Sequence, residues 1–204
     1  VTIHRQSQLL VAIVNELLDL ARIEARRGQD FEIETLDLAA LAGEIVGDFK
    51  PPPGRDAPRL AIPEDTADVP VRVDRNKLRQ ALGNVLSNAY KYSPGGGAVA
   101  VSLVHERGRS GVAAWVGLQV ADHGIGMTPE QLARVSERFY RADSSGNIPG
   151  TGLGMAIVKE ITELLGGRLQ LASQPGRGSQ VTLWLPALAG PAGPAAVVGE
   201  GHAQ

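Results

Sequence analysis

Residues 78–94 read LRQALGNVLSNAYKYSP, and the spacing within this stretch decides how the chain is organised. Asn84, Asn88 and Lys91 fall at i, i+4 and i+7, so a helix here projects all three from one face. Leu82, Val85, Leu86 and Ala89 supply an apolar stripe suited to a core. Two amides and an ammonium on one face pack poorly but suit a metal-bound polyphosphate. An Asn carbonyl is a hard oxygen donor of the kind Mg²⁺ accepts, and a lysine one turn on reaches phosphate as a point charge. Read alone, the stretch is equally a surface helix with ordinary polar residues.

Two glycine-bearing segments downstream shift that balance. Residues 116–127 read VGLQVADHGIGM, an alternating strand pattern that ends in an acid and then Gly-x-Gly. Residues 148–157 read IPGTGLGMAI, a Gly-rich turn running into an apolar helix. This order resembles the N, G1 and G2 boxes of two-component sensor histidine kinases, members of the gyrase, heat-shock chaperone, histidine kinase and mismatch-repair ATPase superfamily. Glu137-Arg138-Phe139-Tyr140-Arg141 is similar to that family's F box. Four motifs in the right order are a specific signal where any one alone is weak.

Composition sets the outer limits. The 204 residues, 43% hydrophobic and 21% charged, suit one medium globular unit with an appendage. A net charge of −2 without a basic stripe gives no nucleic-acid partner. With no cysteine there is no disulfide scaffold, thiolate chemistry or Cys-ligated zinc. No apolar run approaches membrane-span length, so the chain itself is expected to make no membrane contact.

Along the chain, residues 1–28 read as one long amphipathic helix. Ile3, Leu10, Ile13, Leu17 and Leu20 form a seam that wants a partner helix, and Gly28 terminates it. A strand is expected over 31–36, then a helix capped by Asp37 with Leu41, Ile45, Val46 and Phe49 apolar, ending at Pro51-Pro52-Pro53-Gly54. Strands are expected over 59–62 and 69–73, with Asp74 leading into the central helix. Gly95-Gly96-Gly97 should end that helix and start a strand over 98–105, with a turn at 108–111 and a strand over 114–122. Residues 127–149 are polar, with only 129–139 helical, and suggest a lid between the two Gly motifs. A helix over 153–165 and a hairpin over 168–173 and 180–185 close the domain. From 187 the chain is an Ala/Gly/Pro tail.

Some chemistry follows from residue type alone. Gly124 and Gly126 lack Cβ atoms, so backbone there can lie flat against a planar ring. Gly150, Gly152 and Gly154 precede a helix, so free N–H groups and the positive helix end can face phosphate oxygens.

The resemblance implies more. Residues 29–186 should form the Bergerat-type ATP-binding fold, an α+β two-layer sandwich of a mixed sheet covered by helices. The words NELLDLARIEA place residues 1–28 as the second helix of the dimerisation and histidine-phosphotransfer hairpin, which pairs the parent protein as a homodimer. The ligands implied are ATP or ADP and Mg²⁺. Asp122 would accept a hydrogen bond from the adenine amine, and Asn88 would be the Mg²⁺ ligand. Asn84 would support the metal or phosphate shell and Lys91 would contact the phosphates, which makes these two the candidate catalytic groups. Tyr92 would lie beside the nucleotide, Phe139 and Tyr140 would pack the lid, and Arg138 and Arg141 would reach the terminal phosphate or the partner domain. Thr151 and Leu153 belong to the G2 box, and Ser179 stands where the family usually carries Thr. Tyr90 is bulkier than the aliphatic residue usual at its position.

The family's acceptor is a His followed by an acid and then a proline. His4 is followed by Arg5, Gln6 and Ser7 and does not match, and His105, His123 and His202 lie outside any such motif. The chain is therefore expected to begin inside the second hairpin helix and to bind Mg-ATP without phosphorylating itself. Its reaction in the parent would be transfer of the ATP γ-phosphoryl to a histidine, then to an aspartate of a response-regulator receiver domain. The site of action is expected to be cytoplasmic, with any inner-membrane anchor of the parent upstream. Two alternatives stand beside this: another ATPase of the superfamily, and a non-catalytic nucleotide-binding or dimerisation module.

Overall fold

The computed structural model describes residues 2–66, 68–107, 113–142, 148 and 150–188, with backbone only at 2–6, 8, 9, 12 and 113. The expected turn at 108–111, the centre of the expected lid at 143–147 and 149, and the tail from 189 with His202 lie outside the described residues.

Two buried faces organise the fold. Helix α3 (Arg75–Lys91) and helix α5 (Gly154–Leu164) lie side by side on a five-stranded mixed sheet. The sheet runs β2 (Arg59–Ala61), β4 (Ala100–Arg107), β5 (Ala113–Ala121), β7 (Gly178–Pro186) and β6 (Arg168–Gln174), with β2–β4 parallel and the rest antiparallel. The helices bury Leu82, Val85, Leu86, Ile157 and Ile161 against Val101, Leu103, Val116, Leu118, Val120, Leu183 and Leu185. Alternation along the strands turns the other set outward, where Arg168 lies between the rings of Trp115 and Trp184. This is the two-layer α+β sandwich the motifs imply.

A second, two-stranded sheet pairs β1 (Ile33–Asp37) with β3 (Pro70–Asp74), and α2 (Leu38–Asp48) follows β1. Two aspartates start the helices that leave these strands. Asp37 accepts from Ala40 N at 2.5 Å and begins α2, as expected. Asp74 accepts from Lys77 N at 2.9 Å through one oxygen and from Glu32 N at 2.9 Å through the other. It thus caps α3 and ties down the entry to β1 at once.

Helix α1 (Thr2–Arg26) ends as expected, with Gly28 in the left-handed region at φ 74°. Its C-terminal half buries Leu20 and Ile23 against the domain. Of the expected seam, Leu20 is buried and Ile13 half-buried, while Leu10 and Leu17 stay exposed together with Val11, Val14 and Leu18.

Three boundaries differ from expectation for local reasons. Helix α3 ends at Lys91, short of the glycine triplet, because Pro94 disfavours helical backbone at Ser93. The helix expected over 129–139 is only α4 (Pro129–Arg134), opened by a Thr128–Gln131 capping box, and Phe139 further on turns left-handed at φ 61°. Strand β4 starts at Ala100, after Gly96 and Gly97 both take positive φ.

Asp74→Ala should destabilise the domain by about 2 kcal/mol, since it removes a cap and a second backbone bond from a buried carboxylate. Asp37→Ala, at an exposed single-bond cap, should cost about 1 kcal/mol. Urea unfolding of both variants checks this, and equal losses would contradict the double role of Asp74.

Candidate functional site

A cavity of about 320 Å³ opens between α3, the N-terminus of α5 and the sheet end of β5 and β7. The periodicity of α3 brings Asn84, Asn88 and Lys91 to it, with Tyr92 at the helix end. Asp122, Gly126 and Ser179 close one side, and Gly150, Thr151, Gly152 and Gly154 the other. Several residues of the wall were not named as site residues from the sequence, Glu16, Ser87, Ile125, Met127 and Val135 among them. Ser87, Ile125 and Met127 lie within the quoted motif stretches, whereas Glu16 and Val135 are brought to the wall only by the fold.

Asp122 sits just past the end of β5. Its Oδ1 accepts from Gly124 N at 2.8 Å, Ser179 N at 3.3 Å and Ser93 Oγ at 3.5 Å. Among the described residues Oδ2 accepts nothing, so one oxygen is fixed by the protein and the other is free for a ligand. Burial pushes the carboxyl above the ordinary aspartate range. The Gly124 and Ser179 amides, the Ser93 hydroxyl and nearby His123 oppose that shift.

The glycines next to Asp122 have a packing reason of their own. A Cβ on Gly124 would lie 2.1 Å from Tyr92 O, and one on Gly126 would lie 1.9 Å from Gln174 O. Both positions are demanded by backbone meeting backbone. Gly124 itself stands behind Asp122, off the cavity wall. Ser179 lines the cavity; its backbone N–H serves Asp122, and its hydroxyl bonds Ser173 Oγ at 2.9 Å.

The far end of the cavity is cationic and rich in donors. Helix α5 begins at Leu153 without a side-chain cap, so its first N–H groups point out unpaired by any capping side chain. Leu153 itself is fully buried and anchors that helix start rather than lining the cavity. A Cβ on Gly150 would lie 2.0 Å from Lys91 Nζ, so the ammonium rests against the G2 backbone. Burial lowers the Lys91 pKa, Arg141 lowers it further, and Glu16 opposes them. Asn84 Nδ2 donates to Gly154 O at 3.4 Å. Arg141 donates to Ile148 O at 2.5 Å, while its buried Nε has no partner among the described residues.

Phe139 of the F box acts through its backbone. Phe139 N donates to Gly152 O at 3.0 Å, and a Cβ on Gly152 would meet Phe139 C at 2.7 Å. The Phe139 ring, expected to pack the lid, is 57% exposed. Tyr140 lines the cavity under the Arg134 guanidinium, 4.4 Å from its ring centre. Arg138 points away and pairs with Glu24 of α1.

The donors fit a Mg²⁺-bound polyphosphate. Among the described residues no three His, Cys, Asp or Glu gather as a metal cage. The Asn84 and Asn88 carbonyls are oxygen donors of the type that shares Mg²⁺ with phosphates.

Residues 73–189 match the family described as histidine kinase-, DNA gyrase B-, and HSP90-like ATPases. Sensor histidine kinase WalK of Bacillus subtilis is 32% identical over 184 residues, covering 89% of this chain and 29% of WalK. Sensor-like histidine kinase SenX3 of Mycolicibacterium smegmatis is 36% identical over 188 residues, covering 89% of this chain and 46% of SenX3. The crystal structure of full-length ShkA in complex with AMPPNP superposes with a TM-score of 0.75 at 27% identity, covering 94% of this chain and 39% of that one. The NMR structure of the histidine kinase domain of the E. coli osmosensor EnvZ gives 0.58 at 30% identity, covering 81% and 96%. The chain spans less than half the length of these two curated relatives.

The raised Asp122 pKa has a definite sign in stability. A carboxyl that holds its proton more tightly when folded costs stability as pH rises from the ordinary aspartate value through the folded one. Asp122→Asn keeps an oxygen to accept from Gly124 and Ser179 but removes that cost. The ligand-free variant should gain Tm relative to the unsubstituted chain as pH rises above the ordinary aspartate value of about 4. Thermal melts across that range check it, and a gap that narrows with rising pH would contradict it.

Proposed function

This chain belongs to the family of histidine kinase-, DNA gyrase B- and HSP90-like ATPases, and on that premise we propose that it is the ATP-binding domain through which a sensor histidine kinase phosphorylates a histidine. The observation that carries this reading is a single cavity with a half-satisfied carboxylate at one end and unpaired donors at the other. Asp122 Oδ2 accepts from the exocyclic amine of adenine, and guanine presents a carbonyl at the equivalent place, so the base is selected by one oxygen. Lys91 and the N-terminus of α5 take the phosphates, with Thr151 beside them. Arg141, close enough to Lys91 to lower its pKa, is the further cation near this end. Asn88 would hold Mg²⁺, with Asn84 beside it, and the bound ion would supply charge neutralisation on the phosphates.

Transfer of this kind needs little covalent help from the protein, and the residues act by positioning and electrostatics. In the parent protein the γ-phosphoryl passes to a histidine and then to an aspartate of a response-regulator receiver domain. Exposed Leu10, Val11, Val14, Leu17 and Leu18 of α1 are the apolar surface with which the parent would pair as a homodimer. No feature favours another ATPase of the superfamily or a non-catalytic module.

Calorimetric titration with ATP, with and without Mg²⁺, tests the reading. The unsubstituted chain should bind ATP. Asp122→Asn should weaken binding by roughly tenfold to a hundredfold, the worth of a hydrogen bond to a charged group. Asn88→Ala should remove the Mg²⁺ dependence. Absence of ATP binding by the unsubstituted chain would overturn the proposal.

A further inference from the structure

Helix α1 sends one side chain into the nucleotide cavity. Glu16 lines the wall, and its carboxylate accepts a hydrogen bond from Thr151 Oγ1. The Thr151 oxygen in turn accepts from Leu153 N at 3.2 Å, at the start of α5. Two turns further along α1, Glu24 pairs with Arg138 of the F box. Leu20 and Ile23, nearly fully buried, lie between the two acids. Residues 16, 20, 23 and 24 share one helix face, so α1 is docked by an apolar contact flanked by two carboxylates.

The position of Glu16 is chemically odd for a phosphate site. It stands at the end where Lys91, Arg141 and the uncapped α5 N-terminus gather, all of which attract anions. A carboxylate and a phosphate compete for the same cations and repel each other at close range. A nucleoside triphosphate extends one phosphate further along the cavity than a diphosphate does.

We propose that Glu16 occupies the terminal-phosphate end of the cavity and is a specificity-determining residue that disfavours ATP relative to ADP while α1 is docked. ATP then binds by displacing Glu16 from Thr151, and ADP binds without doing so. This rests on the nucleotide reading of the cavity. Its consequence is reciprocal: whatever undocks α1 tightens ATP, and ATP loosens α1.

The test is calorimetry of the full chain with ATP and with ADP, both in Mg²⁺, for the unsubstituted protein, Glu16→Gln and Glu24→Gln. Glu16→Gln should tighten ATP about tenfold and leave ADP within about twofold, as expected for losing one charged competitor. Glu24→Gln, outside the cavity, should tighten ATP in the same direction by a smaller factor. Equal shifts for the two nucleotides, or no shift in Glu16→Gln, would overturn the inference and leave the nucleotide site standing. Weaker, metal-dependent ATP binding in Glu16→Gln would make the residue a metal ligand and also overturn it. An unsubstituted chain that binds neither nucleotide would overturn the nucleotide reading together with the inference.

Discussion

The site depends on how closely three chain segments approach Asp122. Gly124 lies against the carbonyl of Tyr92 at the end of α3, Gly126 against that of Gln174 at the end of β6, and Gly178 against Asp122 O itself. The Asp122 amide donates to Ser179 O at 2.9 Å, and Ile125 N to Tyr92 O at 3.0 Å. Any side chain at these glycines would drive backbone from backbone. Only with the segments in contact do the Gly124 and Ser179 amides both reach Asp122 Oδ1 and leave Oδ2 turned to the cavity. The geometry of one oxygen atom is therefore fixed by the main chain and not by a side-chain rotamer.

The same economy runs along α3. One face enters the core and the other supplies the polar groups, so packing and function share a single helix. The C-terminal end is held by side chains from far upstream. Arg55 donates to Ser93 O at 2.8 Å and Gly97 O at 3.1 Å and lies over the Tyr90 ring. Tyr90, too large for the aliphatic place it takes, stacks on Phe49 and donates to Asp56 O at 2.7 Å. The bulk is accommodated by the loop after α2, which in turn steadies Ser93 beside Asp122.

What could be read from the chain alone follows from range. The 3.6-residue spacing of Asn84, Asn88 and Lys91, the helix starts at Asp37 and Asp74 and the stop at Gly28 are local, and the structure keeps them. The Gly motifs are legible as positions, but the contacts of Gly124 and Gly126 with Tyr92 and Gln174, distant in sequence, are not. Phe139 reads as a packing aromatic, yet its left-handed backbone serves Gly152 and leaves the ring in solvent. Glu16 reads as the polar side of an amphipathic helix. Nothing local distinguishes it from Glu24 or Asp19, and only the docking of α1 on α5 brings it into the cavity.

The account stands most directly on where a bound nucleotide lies. A crystal structure of the chain with Mg²⁺ and a non-hydrolysable ATP analogue should show the adenine amine at hydrogen-bond distance from Asp122 Oδ2. The phosphates should run toward Lys91 and the first turn of α5. A nucleotide with its base at the α5 end, or bound outside this cavity, would contradict the account.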